Sequence, residues 1–207
     1  MPSIYQLKPA FQNLLRPLVQ RLYDHRITAN QVTLLAGITS VMLGVGVACF
    51  AHHRWVFVLI PVWMILRMAL NAIDGMLARE FGQQSHLGAY LNELCDVVAD
   101  CALLLPFALI PDVSLVLVLL TTLLAILSEY SGVLGIMVGA SRRYDGPMGK
   151  SDRAFVLGTL ATGIAIGWVS SFWINVVFGA VAVLLVYTLV NRVRGALHEV
   201  QGKTFSN

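Results

Sequence analysis

Residues 55–110 read WVFVLIPVWMILRMALNAIDGMLAREFGQQSHLGAYLNELCDVVADCALLLPFALI. Two mostly apolar runs, Trp55 to Asn71 and Ala89 to Ile110, flank a polar connector. Each approaches the roughly 20 residues that one helical membrane crossing needs. The first run and its extension carry Arg67, Asn71 and Asp74 at i, i+4 and i+7, which share one helix face at about 100° per residue. The second carries Asn92, Glu93, Asp96 and Asp100, all within an arc of about 100°. Ionisable groups inside a bilayer cost several kcal/mol each and are functional-site candidates by default. The stretch therefore predicts an antiparallel helical hairpin whose two polar stripes face each other.

A rise of about 1.5 Å per residue sets the depth of each group. Asp74 and Asn92 fall nearest the connector, Asn71 and Asp96 about one turn deeper, and Arg67 and Asp100 deepest. The upper rungs offer two carboxylates and two amides, hard oxygen ligands suited to Mg²⁺, Mn²⁺ or Ca²⁺. The lowest rung sets an arginine against a carboxylate, so Asp100 is either the counter-ion of a buried Arg67 or part of the site. Glu93 is either a further ligand or an interface residue.

The rest of the chain agrees with a membrane protein. Of 207 residues, 57 % are apolar and 12 % charged, against about 25 % charged in a soluble domain. That excludes a soluble enzyme, a disordered chain and a secreted disulfide scaffold. A net charge of +3 and short basic clusters argue against a nucleic-acid partner. Cys49, Cys95 and Cys101 lie in apolar stretches and read as free core thiols. Four further apolar segments, Val32 to Phe50, Val113 to Gly139, Ala154 to Trp168 and Phe172 to Val190, bring the expected crossings to six. The expected fold is an all-α polytopic bundle. Residues 1–30 would form an interfacial segment, 31–195 the six-helix domain and 196–207 a cytoplasmic tail. A cleavable signal peptide is not expected.

Lys8, Arg16, Arg21, Arg26, Arg79, Arg142, Arg143, Lys150, Arg153, Arg192, Arg194 and Lys203 all fall on one side of this topology, with Arg54 alone opposite. Both termini are thus expected in the cytoplasm, with the chain in the inner membrane. Ile4, Leu7, Phe11, Leu15, Leu18 and Leu22 predict a helix lying on anionic lipid, kinked at Pro17. Trp55, Trp168, Phe172 and Trp173 read as outer-interface anchors, and the histidines receive no role. Gly132, Gly135 and Gly139, with Gly163 and Gly167, suit close helix packing.

Two more features flank the hairpin. Residues 144–153, YDGPMGKSDR, set glycines, Lys150 and Arg153 at a helix start. This is either an acceptor-phosphate cradle or a positively charged turn capped by Ser151 or Asp152. Glu129, within the fourth apolar segment, either pairs with Arg67 or closes an acceptor pocket.

From Asn71 to Asp96 the spacing resembles the signature of the CDP-alcohol phosphatidyltransferase family, D-x2-D-G-x2-A-R-x8-G-x3-D-x3-D. Asp74, Gly75, Ala78, Arg79, Gly88 and Asp96 stand on matching positions, and Asn71 and Asn92 replace the first and third aspartates. Thr28-Ala29-Asn30, where relatives often read T-P-N, adds to the likeness. The resemblance implies transfer of a phosphatidyl group from CDP-diacylglycerol to a polar alcohol, with release of CMP, by a homodimer embedded in membrane lipid. It implies Mg²⁺ or Mn²⁺, one or two ions, held by Asn71, Asp74, Asn92 and Asp96. It makes Asp96 the base and puts Gly75, Ala78, Arg79 and Gly88 at the nucleotide. Glu93, Asp100, Lys150 and Arg153 are possible auxiliaries. The two asparagines halve the carboxylate charge, so one firmly held ion is expected, with a second arriving on the diphosphate. Two other readings stand beside this one: a non-catalytic relative that binds CDP-lipid, and an ion-coupled transporter.

Overall fold

The computed structural model describes residues 4–204, with side chains from 11 to 202. Among the described residues there is no strand. Seven α-helices follow in order: α1 Ile4–Asp24, α2 Ala29–Cys49, α3 Leu59–Glu80, α4 His86–Leu104, α5 Leu115–Met137, α6 Lys150–Ala165 and α7 Ser171–Thr204. Single 3-10 turns at Arg54–Val58 and Leu105–Leu109 adjoin α3 and α4. Ala29–Cys49, Arg54–Glu80, Leu115–Met137 and Ser171–Gly202 are long and apolar enough to cross a membrane. Helix α4 holds Glu93, Asp96 and Asp100, and α6 has only 16 residues, which explains why these two lack that character.

Helix limits follow local chemistry. Helix α4 stops at Leu104, short of the expected Ile110, because Pro106 has no N–H to continue the ladder. Pro61 sits in the first turn of α3, where a missing N–H costs nothing, and α3 then runs past Asn71 to Glu80. Thr28 caps α2, its hydroxyl accepting from the Gln31 N–H while the Gln31 side chain accepts from the Thr28 N–H. Neither Ser151 nor Asp152 is the N-cap of α6. Gly149 is, and Asp152 accepts its N–H at 3.0 Å from inside the first turn. Helix α7 has 34 residues, about 50 Å at 1.5 Å per residue. It therefore outruns a 30 Å hydrocarbon core and passes unbroken through position 196.

Apolar burial supplies little net attraction between helices in lipid, so close backbone approach and hydrogen bonds must do it. Helix α2 turns Thr33, Gly37, Ser40 and Gly44 inward and packs chiefly on α4 and α3. A Cβ on Gly37 would come within 3.0 Å of the Cys95 Cβ, and one on Gly44 would strike the Ala102 carbonyl. These glycines, which the sequence reading did not single out, bring α2 and α4 together. Gly139 and Gly167 end helices with positive φ and leave open space where a Cβ would stand, whereas Gly132 and Gly135 admit the connector backbone at Arg143 and Ser141 and lie against Arg192 and Ala196 of α7. Trp63 Nε1 donates to Ser40 Oγ at 2.8 Å between α3 and α2. Phe57, Phe107 and Phe178 stack edge to face at the centre of the larger core.

Helix α1 runs through Pro17 without interruption and packs on α3. Val19 is fully buried there and Leu15 and Leu22 of the apolar stripe pack beside it, while Leu18 of the same stripe is exposed. The side chains of Ile4, Leu7 and Lys8 lie outside those described.

Residues 138–149, between α5 and α6, lie against α7. Gly146 has φ +112, and a Cβ there would fall 2.6 Å from the Thr188 Cα. Thr188 Oγ1 meanwhile accepts the Met148 N–H at 3.0 Å. Gly146→Ala is expected to cost about 1–3 kcal/mol, because strain and clash cannot both be relieved. Gly46→Ala, at a helical glycine with nothing within 4 Å, should be neutral or stabilising. Thermal unfolding midpoints in detergent compare the two; equal midpoints would remove the steric account.

Candidate active site

Helices α3 and α4 meet with their polar stripes inward. Arg67 Nη1 lies 2.7 Å from Asp100 Oδ1, and Asn71 Nδ2 lies 3.4 Å from Asp96 Oδ1. Both pairings are those the depth count predicts. Arg67 does more than neutralise Asp100. Its Nη2 donates to Asp96 Oδ1 at 3.0 Å and to the Asp96 backbone carbonyl at 3.1 Å. Asp100 in turn binds Arg153 Nη2 at 2.9 Å through its other oxygen. It is thus a counter-ion shared by two arginines rather than a wall of the site.

Above these pairs lies a cavity of about 1250 Å³. Asn71, Asp74, Asn92 and Asp96 all line it, as do Gly75, Ala78, Arg79, Gly88, Glu93 and Lys150. Asp100 and Arg153 do not; they line a separate small void of about 10 Å³ beside Glu129. Asp74 is buried and accepts the Thr33 hydroxyl at 2.7 Å. Asp96 faces Arg67 and, on its other oxygen, the Lys150 ammonium. With its amide nitrogen on Asp96, Asn71 keeps a carbonyl oxygen available. Glu93 is paired with Arg142, whose guanidinium also stacks over the Tyr144 ring at 4.9 Å from its centroid.

The glycines of the stretch act through what they leave room for. A Cβ on Gly75 would meet the Arg79 Nη2 at 2.6 Å, so the bare backbone lets that guanidinium fold over the helix at the cavity mouth. A Cβ on Gly88 would meet Asn30 Oδ1 at 2.7 Å. Gly88 therefore seats the first turn of α4, capped by Ser85 Oγ, against the start of α2.

Several positions at the cavity were not evident in the sequence. Thr33 is one, 41 residues from the carboxylate it holds. His86 and Tyr144 line the cavity without any helical spacing to announce them. Gln83 Oε1 accepts the Ala29 N–H at 2.7 Å and ties the connector to α2. Glu129 pairs neither with Arg67 nor across the cavity. It binds Arg153 at 3.1 Å, Arg192 at 3.5 Å and Arg142 at 3.7 Å.

Two carboxylates and two carboxamides on one cavity wall form an all-oxygen donor set, which fits a hard divalent cation. The Lys150 ammonium against Asp96 shows that this wall accepts positive charge. Among the described residues no three His, Cys, Asp or Glu side chains converge on one point. A cation here must therefore draw on the amide oxygens as well.

Helices apolar enough to span a membrane, enclosing an oxygen-lined hollow, are what this architecture defines. The chain belongs to the CDP-alcohol phosphatidyltransferase family, whose model matches residues 26–193. It is 44 % identical over 197 residues to the inner membrane protein YnbA of Escherichia coli (strain K12), covering 94 % of this chain and 96 % of that one. It is 34 % identical over 108 residues to the phosphatidylinositol phosphate synthase of Corynebacterium glutamicum, covering 50 % of this chain and 45 % of that enzyme. The Mycobacterium tuberculosis phosphatidylinositol phosphate synthase PgsA1, solved with CDP-DAG bound, superposes with a TM-score of 0.72 at 21 % identity, over 89 % of this chain and 92 % of that one. The same enzyme in complex with manganese and citrate gives a TM-score of 0.70 at 20 % identity, over 89 % and 88 %. At these identities the two structures establish a shared fold. Family and fold together make the chain an enzyme rather than a carrier.

Proposed function

We propose that this enzyme transfers a phosphatidyl group from CDP-diacylglycerol, or a close CDP-lipid, to the hydroxyl of an alcohol and releases CMP. The observation that carries the reading is the convergence of Asn71, Asp74, Asn92 and Asp96 on one cavity beside Gly75 and Arg79. Asp96 takes the proton of the hydroxyl, whose oxygen forms a bond to the lipid-side phosphorus. The phosphoanhydride bond breaks and CMP leaves with the bridging oxygen. Arg67 orients the Asp96 carboxylate, Thr33 fixes that of Asp74, and Arg79 faces the diphosphate. Asp74, Asp96, Asn71 and Asn92 would hold a divalent cation, which would screen the diphosphate and stabilise the leaving group.

In the bilayer we read six crossings: α2, Arg54–Glu80, α4 with its 3-10 extension, α5, α6 and α7, with α1 on the cytoplasmic interface and both termini inside. The four long spans and the basic connectors support this arrangement. The cavity then opens where a lipid donor and a soluble alcohol can meet.

With only two carboxylates, substrate-free protein should hold one Mn²⁺ or Mg²⁺ per chain, and CDP-diacylglycerol should raise the occupancy. Elemental analysis after desalting, with and without the donor, measures this. Chelation should abolish CMP release and Mg²⁺ should restore it. Two tightly held ions without donor would refute the single-ion site, and CMP release unaffected by chelation would refute the metal role.

A further inference from the structure

Glu129, a buried carboxylate near the cytoplasmic end of α5, takes no part in the chemistry proposed above. Three guanidiniums close on it from three separate pieces of chain: Arg153 of α6, Arg192 of α7 and Arg142 of the connector. Arg153 and Arg192 are each 2 % exposed, so they are not surface charges that happen to lie near an acid. Arg192 also donates to the Ser128 carbonyl, and the Nε atoms of Arg142 and Arg153 are buried without an acceptor. Several guanidiniums converging on one point, with N–H groups to spare, compose a site for a phosphate or similar anion. Here the chain supplies the anion itself. Arg142 also lines the large cavity, so this cage borders the space an alcohol must enter.

We propose that the Glu129 carboxylate is the built-in occupant of an anion cage, and that the alcohol this enzyme accepts carries no net negative charge. The statement deepens the transferase reading and rests on it for the word acceptor. A phosphorylated alcohol would either expel Glu129, leaving a buried carboxylate unpaired, or sit beside it with like charges in contact. The other cations at that end are engaged as well. Lys150 is on Asp96, Arg142 is also on Glu93, and Arg143 is on Asp145 and Glu199. In the connector, the Arg143 guanidinium holds the Asp145 carboxyl below its ordinary value. Arg79, which makes no ion pair among the described residues, stands over Gly75 where the donor's diphosphate is placed. What the cavity shows an acceptor at this end is the Glu93–Arg142 and Asp96–Lys150 pairs, equal charge of each sign. That matches a polyol or a zwitterionic alcohol.

The test has two arms. In the first, purified full-length protein with CDP-diacylglycerol and Mg²⁺ is offered glycerol against glycerol 3-phosphate, inositol against inositol 1-phosphate, and serine. CMP release should favour an unphosphorylated alcohol over its phosphate ester by about 100-fold or more, the size of a like-charge penalty. The lipid product separates polyol from zwitterion. Faster release with a phosphorylated member of either pair overturns the proposal. In the second arm, calorimetry with inorganic phosphate should show no saturable binding to the wild type and saturable binding to Glu129→Gln. Saturable binding to the wild type, or none to a folded Glu129→Gln, overturns it without reference to turnover. If Glu129→Gln does not fold, the wild-type phosphate titration still decides. Absence of CMP release with every alcohol would count against the transferase reading, while the phosphate titrations would still judge the cage.

Discussion

Asp96→Asn should lower CMP release from CDP-diacylglycerol by about 10³-fold, within the range a positioned general base contributes. The substitution keeps the shape and the polar contacts with Asn71 and Arg67 while removing the proton acceptor and one of two carboxylates on the cavity wall. The loss should appear in kcat, with the donor's KM changed much less, because the residue acts on the alcohol's proton. Asn71→Asp is the informative companion. It restores a carboxylate at the first position of the spacing and should tighten metal binding without replacing the base. A radiolabel assay for CMP on both variants checks this. Turnover by Asp96→Asn within a few-fold of wild type would remove the assigned base, whatever the metal does.

The same residues show how far the sequence could be read. Arg67, Asn71 and Asp74, against Asn92, Asp96 and Asp100, were legible because both sets obey one helical period and a hairpin fixes their relative depth. That reasoning gave the Asn71–Asp96 and Arg67–Asp100 contacts, each between residues of adjacent helices. It could not give Lys150 on Asp96 or Arg153 on Asp100, because those partners lie more than 50 residues away on α6. No periodicity reports which face of α6 meets α4. Glu129 stood out as a charge in an apolar run, yet its partners were invisible for the same reason. Helix ends were misread even where a proline or a capping threonine sets them: the expected spans ran on through Pro106 and began at Val32, whereas α4 stops at Leu104 and α2 starts directly after Thr28. Gly149 caps α6 although Ser151 and Asp152 are the better caps by residue type. Gly37 and Gly44 looked like ordinary members of an apolar span. Only the approach of α4 to within contact of their backbone shows why a side chain there would not fit.

The largest stability effect should come from Arg153→Met. Arg153 is the cation between two buried carboxylates, 2.9 Å from Asp100 and 3.1 Å from Glu129. Through Asp100 it is continuous with Arg67 and hence with Asp96, so five charges on α3, α4, α5 and α6 are joined in one alternating chain. Removing Arg153 leaves Asp100 with Arg67 and Glu129 with Arg192 and Arg142, but the two carboxylates then face each other across the small void without the cation between them. Breaking a buried pair in this way costs about 3–5 kcal/mol, which for a chain of this size lowers the thermal midpoint by about 10 °C. The exposed Arg16–Glu80 pair, also at short distance, is the control. Arg16→Met should cost under about 1 kcal/mol, since water and salt already screen it. The cause can be separated from lost packing. In Arg153→Met/Asp100→Asn one charge of each sign is gone while Arg67 keeps Asp96 and Glu129 keeps Arg192 and Arg142, so part of the lost midpoint should return. If Arg153→Met melts no lower than Arg16→Met in the same detergent, the chain of ion pairs does not hold these helices together. If the double variant melts lower still, the penalty lies in packing around the methionine rather than in the lost cation.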